Sequence, residues 1–125
     1  MAQEPSLRPE RRVLIVDDHL GFRRCARTLL TSEGYEVVGE AEDGAAALAL
    51  AAELGPELVL LDIQLPDMDG FEVVARLHAD DPALPVVLIS SRERSAYGPL
   101  IEASGARGFV SKADLSGAAL EHLLE

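Results

Sequence analysis

Acidic side chains follow two short apolar runs of this sequence. Asp17 and Asp18 come directly after Val13–Val16, and Asp62 comes directly after Leu58–Leu61. Each run is too short for an ordinary helix and is typical of a strand that is buried on both faces of a parallel sheet. Ligands bind to such sheets at the carboxyl ends of the strands, where neighbouring carboxylates repel one another unless a cation intervenes. The spacing therefore predicts a ligand site that binds a divalent cation.

A hydroxyl group and an amine occupy equivalent positions farther along the chain. Ser90 follows the apolar run Val86–Ile89, and Lys112 lies just beyond the segment Arg107–Val110. Because the carboxyl ends of parallel strands lie at one edge of a sheet, we expect both side chains to join the acids there.

Most of these residues also have an ordinary structural interpretation. Asp17 and Asp18 suit the N-terminus of a helix, and a serine is common after a strand. A single lysine is usually solvated. Asp62 is harder to explain as a plain strand end because it follows four apolar residues directly. The functional interpretation therefore depends on the shared position of these residues rather than on any one of them.

The elements that must position these residues alternate between strand and helix. Strands are predicted at Arg12–Val16, Tyr35–Ala41, Glu57–Leu61, Val86–Ile89 and Arg107–Val110. Helices are predicted at Gly21–Ser32, Gly44–Leu54, Phe71–Ala79, Pro99–Ser104 and Asp114–Leu124. Repeated strand-then-helix units with right-handed crossovers predict a doubly wound α/β fold, in which helices cover both faces of a five-stranded parallel sheet.

Two helical segments carry more specific expectations. The residues from Ser90 to Gly98 are mostly polar, and Pro99 cannot sit inside a helix, so the fourth helix should be short and follow a long loop. Cys25 lies among the apolar positions of the first helix, which predicts an inert core residue.

Composition limits the possible functions. The chain has 125 residues, enough for one domain, and a net charge of -11 from 22 acids and 11 bases. Such a charge argues against binding of nucleic acid or of an anionic membrane by this chain. A single cysteine excludes an internal disulfide, and no apolar stretch approaches membrane-spanning length. We predict a mobile tail over residues 1–10, a folded domain over residues 11–125, and a cytoplasmic location.

The ordered set of polar residues resembles the receiver domain of two-component response regulators. The residues that carry the resemblance lie between Arg12 and Leu124 and are Asp17, Asp18, Asp62, Pro66, Met68, Asp69, Gly70, Ser90, Gly105, Phe109 and Lys112. The resemblance implies a flavodoxin-like sheet with strand order 2-1-3-4-5. It also implies a signalling switch rather than an enzyme, apart from the transfer and loss of its own phosphoryl group.

The resemblance also implies a role for each acid. Asp62 would be the phospho-acceptor, forming an acyl phosphate with a group supplied by a sensor histidine kinase or a phosphotransfer protein. Asp18 would bind Mg²⁺ directly and Asp17 through water, with the backbone carbonyl of Gln64 as a further ligand.

The remaining matched residues would convert phosphorylation into a change of surface. Lys112 would contact the phosphoryl group, Ser90 would move to bond it, and the rotamer of Phe109 would follow that movement. The altered surface would act on protein partners, and phosphorylation would be able to drive formation of a homodimer.

Two features depart from the family pattern, and three alternatives stay open. Ala113 follows the lysine where the family often has proline, so a trans peptide bond is expected. The segment after Ser90 is not expected to form a long fourth helix.

The first alternative is a phosphatase or other hydrolase with an aspartate nucleophile, although such enzymes require a second acid at the position of Gln64. The others are the receiver part of a DNA-binding transcription regulator and a degenerate receiver that serves only protein contacts.

Overall fold

The computed structural model describes residues 11–125, and the predicted tail over residues 1–10 lies outside them. The strands are β1 (Arg12–Val16), β2 (Glu36–Ala41), β3 (Leu58–Asp62), β4 (Val86–Ser90) and β5 (Gly108–Ser111). The helices are α1 (Leu20–Ser32), α2 (Gly44–Leu54), α3 (Gly70–Asp80), α4 (Leu100–Ala103) and α5 (Gly117–Leu124). Short 3₁₀ turns lie at Arg94–Ala96 and Lys112–Asp114.

The strands form one parallel sheet in the order β2-β1-β3-β4-β5. This confirms the predicted fold, and each predicted strand agrees with the observed one to within one residue. Every residue of β3 and β4 is buried, because both strands lie inside the sheet and are covered on both faces. Both strands are accordingly apolar up to their last residues, Asp62 and Ser90.

Successive residues of the strands point to opposite faces and build two separate cores. One core joins α2 and α3 to the sheet and contains Leu14, Val16, Val59, Leu61, Leu88, Ala47, Val73, Val74 and Leu77, among others. The other joins α1 and α5 to the sheet and contains Val13, Ile15, Leu60, Ile89, Ala26, Leu30, Leu120 and Leu124, among others. The sheet is thus held between two helical layers, and its carboxyl edge is left for polar residues.

Two predictions about the helices are corrected. Cys25 is exposed, because the buried positions of α1 are Ala26 and Leu30, and Cys25 points about 100° away from Ala26 around the helix axis. The last helix begins at Gly117 rather than Asp114. Ser116 caps it by accepting a hydrogen bond from the backbone N–H of Ala119, and a 3₁₀ turn precedes it.

The predicted short fourth helix is confirmed. It spans four residues, and Pro99 lies immediately before it. As expected after Lys112, no cis peptide bond occurs in the described part of the chain.

Gly70 lets the start of α3 approach the end of β3 closely. Its backbone N–H donates a 2.7 Å hydrogen bond to the carbonyl of Ile63. A Cβ atom at this position would lie 2.7 Å from Ile63 Cα and 2.8 Å from the carbonyl oxygen of Asp62. Both contacts are to backbone, so a side chain here has to displace the segment that carries Asp62.

We therefore expect Gly70→Ala to destabilise the domain by about 1–3 kcal/mol, the usual range for overpacking. Gly21→Ala is the matched control. Gly21 also lies in the first turn of a helix, and nothing lies within 4 Å of the position that a Cβ atom would take there. Alanine at this position should be neutral or stabilising by up to about 1 kcal/mol. Urea unfolding followed by circular dichroism measures both changes, and equal effects would contradict the close approach.

Candidate functional site

The carboxyl edge of the sheet collects the buried polar side chains. Among residues 11–125, the buried polar or charged residues are Asp17, Asp62 and Ser90, with relative exposures of 0%, 3% and 0%. Asp17 follows β1, Asp62 is the last residue of β3, and Ser90 is the last residue of β4. Because β3 pairs with both β1 and β4, these ends are adjacent.

Lys112 joins the two buried acids. Its Nζ lies 2.6 Å from Asp17 Oδ2 and donates a 3.3 Å hydrogen bond to Asp62 Oδ2. The ammonium also lies 4.8 Å from the centroid of the Phe22 ring, within the range of a cation–π contact. The lysine side chain is only 15% exposed, so it is held in place as the counter-charge of the site.

The environment shifts the pKa values of Asp62 and Lys112. Burial raises the pKa of Asp62, and the charge of Asp17 adds to that effect. A hydrogen bond from the backbone N–H of Gln64 and the charge of Lys112 act in the opposite direction without cancelling it. Burial by itself would lower the pKa of Lys112, but its ion pairs with both acids raise it above the usual lysine range. Lys112 is therefore a permanent cation at physiological pH.

The acids form a cluster whose geometry fits a metal ion. Asp17, Asp18, His19 and Asp62 each offer one ligand atom, and these atoms all lie within 4.8 Å of one another. Carboxylate oxygens suit Mg²⁺, which also keeps several waters. Asp18 and His19 are exposed while Asp17 and Asp62 are buried, so one side of the cluster is open to water.

His19 and Gln64 contribute differently to this cluster. His19 is 70% exposed, but its Nδ1 lies 3.2 Å from Asp17 Oδ1 and 3.1 Å from Asp18 Oδ1. The observed contact of Gln64 is its backbone N–H, which donates a 3.0 Å hydrogen bond to Asp62 Oδ1. Coordination through the Gln64 carbonyl stays a prediction.

Ser90 is engaged by a residue that the sequence analysis missed. Its Oγ accepts a 3.0 Å hydrogen bond from the backbone N–H of Arg92 and lies 2.6 Å from the Tyr97 hydroxyl. The Tyr97 ring packs 6.0 Å, centroid to centroid, from both Phe71 and Phe109. The sequence did contain an indication of this contact, because Tyr97 is the one aromatic residue between β4 and β5.

The comparison with protein families identifies the family of this chain. A family model described as "Response regulator receiver domain" matches residues 13–123. The chain belongs to the response regulator receiver family. The receiver family uses Mg²⁺ at an acidic pocket, and its members are signalling domains that interact with histidine kinases or phosphotransfer proteins.

Individual relatives agree with this assignment. The receiver domain is 43% identical over 101 residues to a protein named as the positive transcription regulator BvgA of virulence factors from Bordetella pertussis, covering 81% of the chain and 48% of BvgA. It is 35% identical to the chemotaxis protein CheY of Listeria monocytogenes, covering 90% of the chain and 94% of CheY. The chain thus spans about half the length of regulators such as BvgA.

A solved structure supports the fold in the same way. The signal receiver domain of the response regulator NarL from Mycobacterium tuberculosis aligns with a TM-score of 0.81 at 36% identity, covering 94% of this chain and 98% of that one. Within residues 11–125, the helices lack the length and hydrophobicity of a membrane-spanning segment.

The raised pKa of Asp62 predicts that its ionised form destabilises the domain when no divalent cation is present. The folded chain holds the Asp62 proton more tightly than the unfolded chain, so stability is lost as the pH rises through the folded-state pKa. We expect Asp62→Asn to raise the melting temperature at pH 7 in EDTA. The gain should shrink as the pH falls into the carboxyl range, where Asp62 itself becomes protonated.

Thermal unfolding across that pH range measures the effect. Glu36→Gln, the same chemical change at an exposed position of β2, is the control and should leave the melting temperature unchanged. A lower melting temperature for Asp62→Asn at pH 7 would show that the Lys112 ion pair outweighs the burial of the carboxylate.

Proposed function

We propose that Asp62 is the phospho-acceptor of this receiver domain and that a sensor histidine kinase or a phosphotransfer protein supplies the phosphoryl group. The observation that supports this most strongly is the bridge from Lys112 to both Asp62 and Asp17 at the carboxyl edge of the sheet. A buried carboxylate, a fixed cation and an open acidic cluster are the components that phosphoryl transfer to an aspartate requires.

In the proposed reaction, a carboxylate oxygen of Asp62 attacks the phosphorus atom. The bond from phosphorus to the nitrogen of the donor histidine breaks, and its electron pair leaves with that nitrogen. Lys112 then contacts a phosphoryl oxygen and offsets part of the negative charge that the phosphoryl group brings to the site. Water later attacks the phosphorus, which restores the Asp62 carboxylate and releases inorganic phosphate.

Asp17 and Asp18 are the residues that would hold the metal ion, and their different contacts support different modes of ligation. Asp17 is buried and paired with Lys112, whereas Asp18 is exposed and faces the open side of the cluster. We assign direct ligation to Asp18, ligation through water to Asp17, and a further ligand to the carbonyl of Gln64. When bound, Mg²⁺ supplies positive charge that neutralises the phosphoryl oxygens during transfer.

The position of Gln64 argues against the hydrolase alternative. A phosphatase with an aspartate nucleophile uses a second acid two residues later, and this chain has an exposed amide there. Gln64 contacts Asp62 through its backbone N–H, and an amide cannot transfer the proton that steady turnover needs. The domain is accordingly proposed to turn over only its own phosphoryl group.

The proposed output is a protein surface rather than a nucleic-acid contact. A net charge of -11 opposes binding to DNA by this chain itself. The match to half of BvgA is consistent with service as the receiver part of a longer transcription regulator, and the match to nearly all of CheY is consistent with use alone. In either case we propose that the switch operates in the cytoplasm and that phosphorylation promotes a homodimer.

Incubation with Mg²⁺ and acetyl phosphate should add one phosphoryl group to the protein, as measured by intact mass. Asp62→Asn should abolish the addition, because an amide is not a nucleophile towards phosphorus. Asp67→Asn is the matched control, since Asp67 is an exposed acid in the loop that follows Asp62. Phosphorylation that persists in Asp62→Asn would move the acceptor to another residue. Size-exclusion chromatography of the same samples tests the dimer.

Lys112→Met should slow the same phosphorylation at least tenfold, because the variant removes the cation beside the reacting oxygens while keeping a long side chain. Ala113→Ser, at the exposed neighbouring position, is the control and should react like the parent protein. An unchanged rate in Lys112→Met would restrict the lysine to a structural role.

A further inference from the structure

Ser90 is tied to the segment between β4 and α4 by one side chain. Residues 91–100 are exposed except Tyr97, which is half-buried. The Tyr97 hydroxyl lies 2.6 Å from Ser90 Oγ, and its ring packs edge-on against Phe71 and at a tilt against Phe109. The segment is therefore anchored to the functional site through Tyr97.

A count of protons and lone pairs shows why this contact is sensitive to the state of the site. A serine hydroxyl has one proton to donate and two lone pairs that accept. The backbone N–H of Arg92 already donates to Ser90 Oγ, and Tyr97 occupies a second position around the same oxygen. A phosphoryl group on Asp62 would take the single proton of Ser90, and the hydrogen bonds around this buried oxygen would then have to be arranged so that the Tyr97 hydroxyl donates.

Phe109 cannot take part in that rearrangement through a hydrogen bond, because its side chain has no polar atom. It lies on β5 and contacts Tyr97 ring to ring. The aromatic residue that can respond directly to Ser90 thus lies on the β4–α4 segment, seven positions after Ser90 in the sequence.

We infer that Tyr97 is a positioning residue that couples the hydrogen bonding of Ser90 to the conformation of residues 91–100. The inference rests on the proposed function, since it assigns the path by which phosphorylation of Asp62 reaches the surface. In the resting state the Tyr97 hydroxyl holds the segment against Ser90. When Ser90 moves to bond the phosphoryl group, the segment either follows the hydroxyl or is released from it.

Tyr97 also lines an open groove beside Asp62, so a movement of its side chain changes the shape of this groove. Tyr97 and Leu100 form one wall of this groove, and the loop that follows Asp62, residues 63–69, forms the other. Leu100 is 55% exposed, although it is a large apolar residue. A shift of Tyr97 therefore changes a surface that lies directly next to the phosphorylation site.

Tyr97→Phe tests the coupling because it keeps the ring and removes only the hydroxyl. Amide hydrogen exchange of residues 91–100 should be about two- to tenfold faster in the unphosphorylated variant than in the parent, the effect of losing one hydrogen bond. Phosphorylation should change exchange in this segment in the parent and have no further effect in Tyr97→Phe. Intact mass should show that Tyr97→Phe still accepts a phosphoryl group.

Two further variants make the test specific. Ser90→Ala removes the other partner of the hydrogen bond and should reproduce the exchange pattern of Tyr97→Phe except at Arg92, whose backbone N–H also loses its acceptor. Phe109→Leu changes the packing of the Tyr97 ring but leaves both hydroxyls, so its exchange in residues 91–100 should still respond to phosphorylation. The inference is overturned if Tyr97→Phe matches the parent in both states, or if only Phe109→Leu loses the response.

Failure of the proposed function gives a different result. If the parent protein accepts no phosphoryl group, the mass measurement shows it directly, and the assignment of Asp62 fails. Exchange in the unphosphorylated proteins still measures whether Tyr97 anchors the segment to Ser90.

Discussion

Burial of two like charges at the end of the sheet is the constraint on which the rest of this structure depends. Asp17 and Asp62 are both removed from water, and Lys112 is the cation that lies between them. Without a counter-charge, two buried carboxylates whose oxygens lie within 4.8 Å of each other are strongly unfavourable. The fold therefore has to bring the end of β5 back to the ends of β1 and β3, and the parallel topology does this.

Lys112 does not fully neutralise the two buried carboxylates. Lys112 offsets part of the repulsion, but the pKa of Asp62 stays above its ordinary value, so the site retains an affinity for additional positive charge. A divalent cation bound by the open acids would satisfy that demand, and a phosphoryl group on Asp62 would increase it by adding negative charge. The charge balance of the site is therefore the property that the proposed phosphorylation would change.

The polar edge and the two apolar cores meet at a small number of residues. Gly70 seats α3 against the backbone of Asp62, and Ser90 connects the buried end of β4 to the Tyr97 ring. Both contacts are tight, and both link the site to an element outside it. The aromatic ring of Tyr97 lies between Phe71 on α3 and Phe109 on β5, so the β4–α4 segment is in contact with two other elements.

The sequence by itself determined the five strands and the acids that end two of them, because short apolar runs that alternate with helical segments have few structural solutions. The order of the strands came from the resemblance to the receiver family. The strand bounds were predicted to within one residue, because each strand is a short run bounded by turn or polar residues. The exposure of Cys25, the start of α5 at Gly117 and the contact between Ser90 and Tyr97 were decided only by tertiary structure. Each depends on which face of an element meets which neighbour. Spacing along the chain specifies periodicity, but it does not specify the rotation of a helix against the sheet or the path of a long loop.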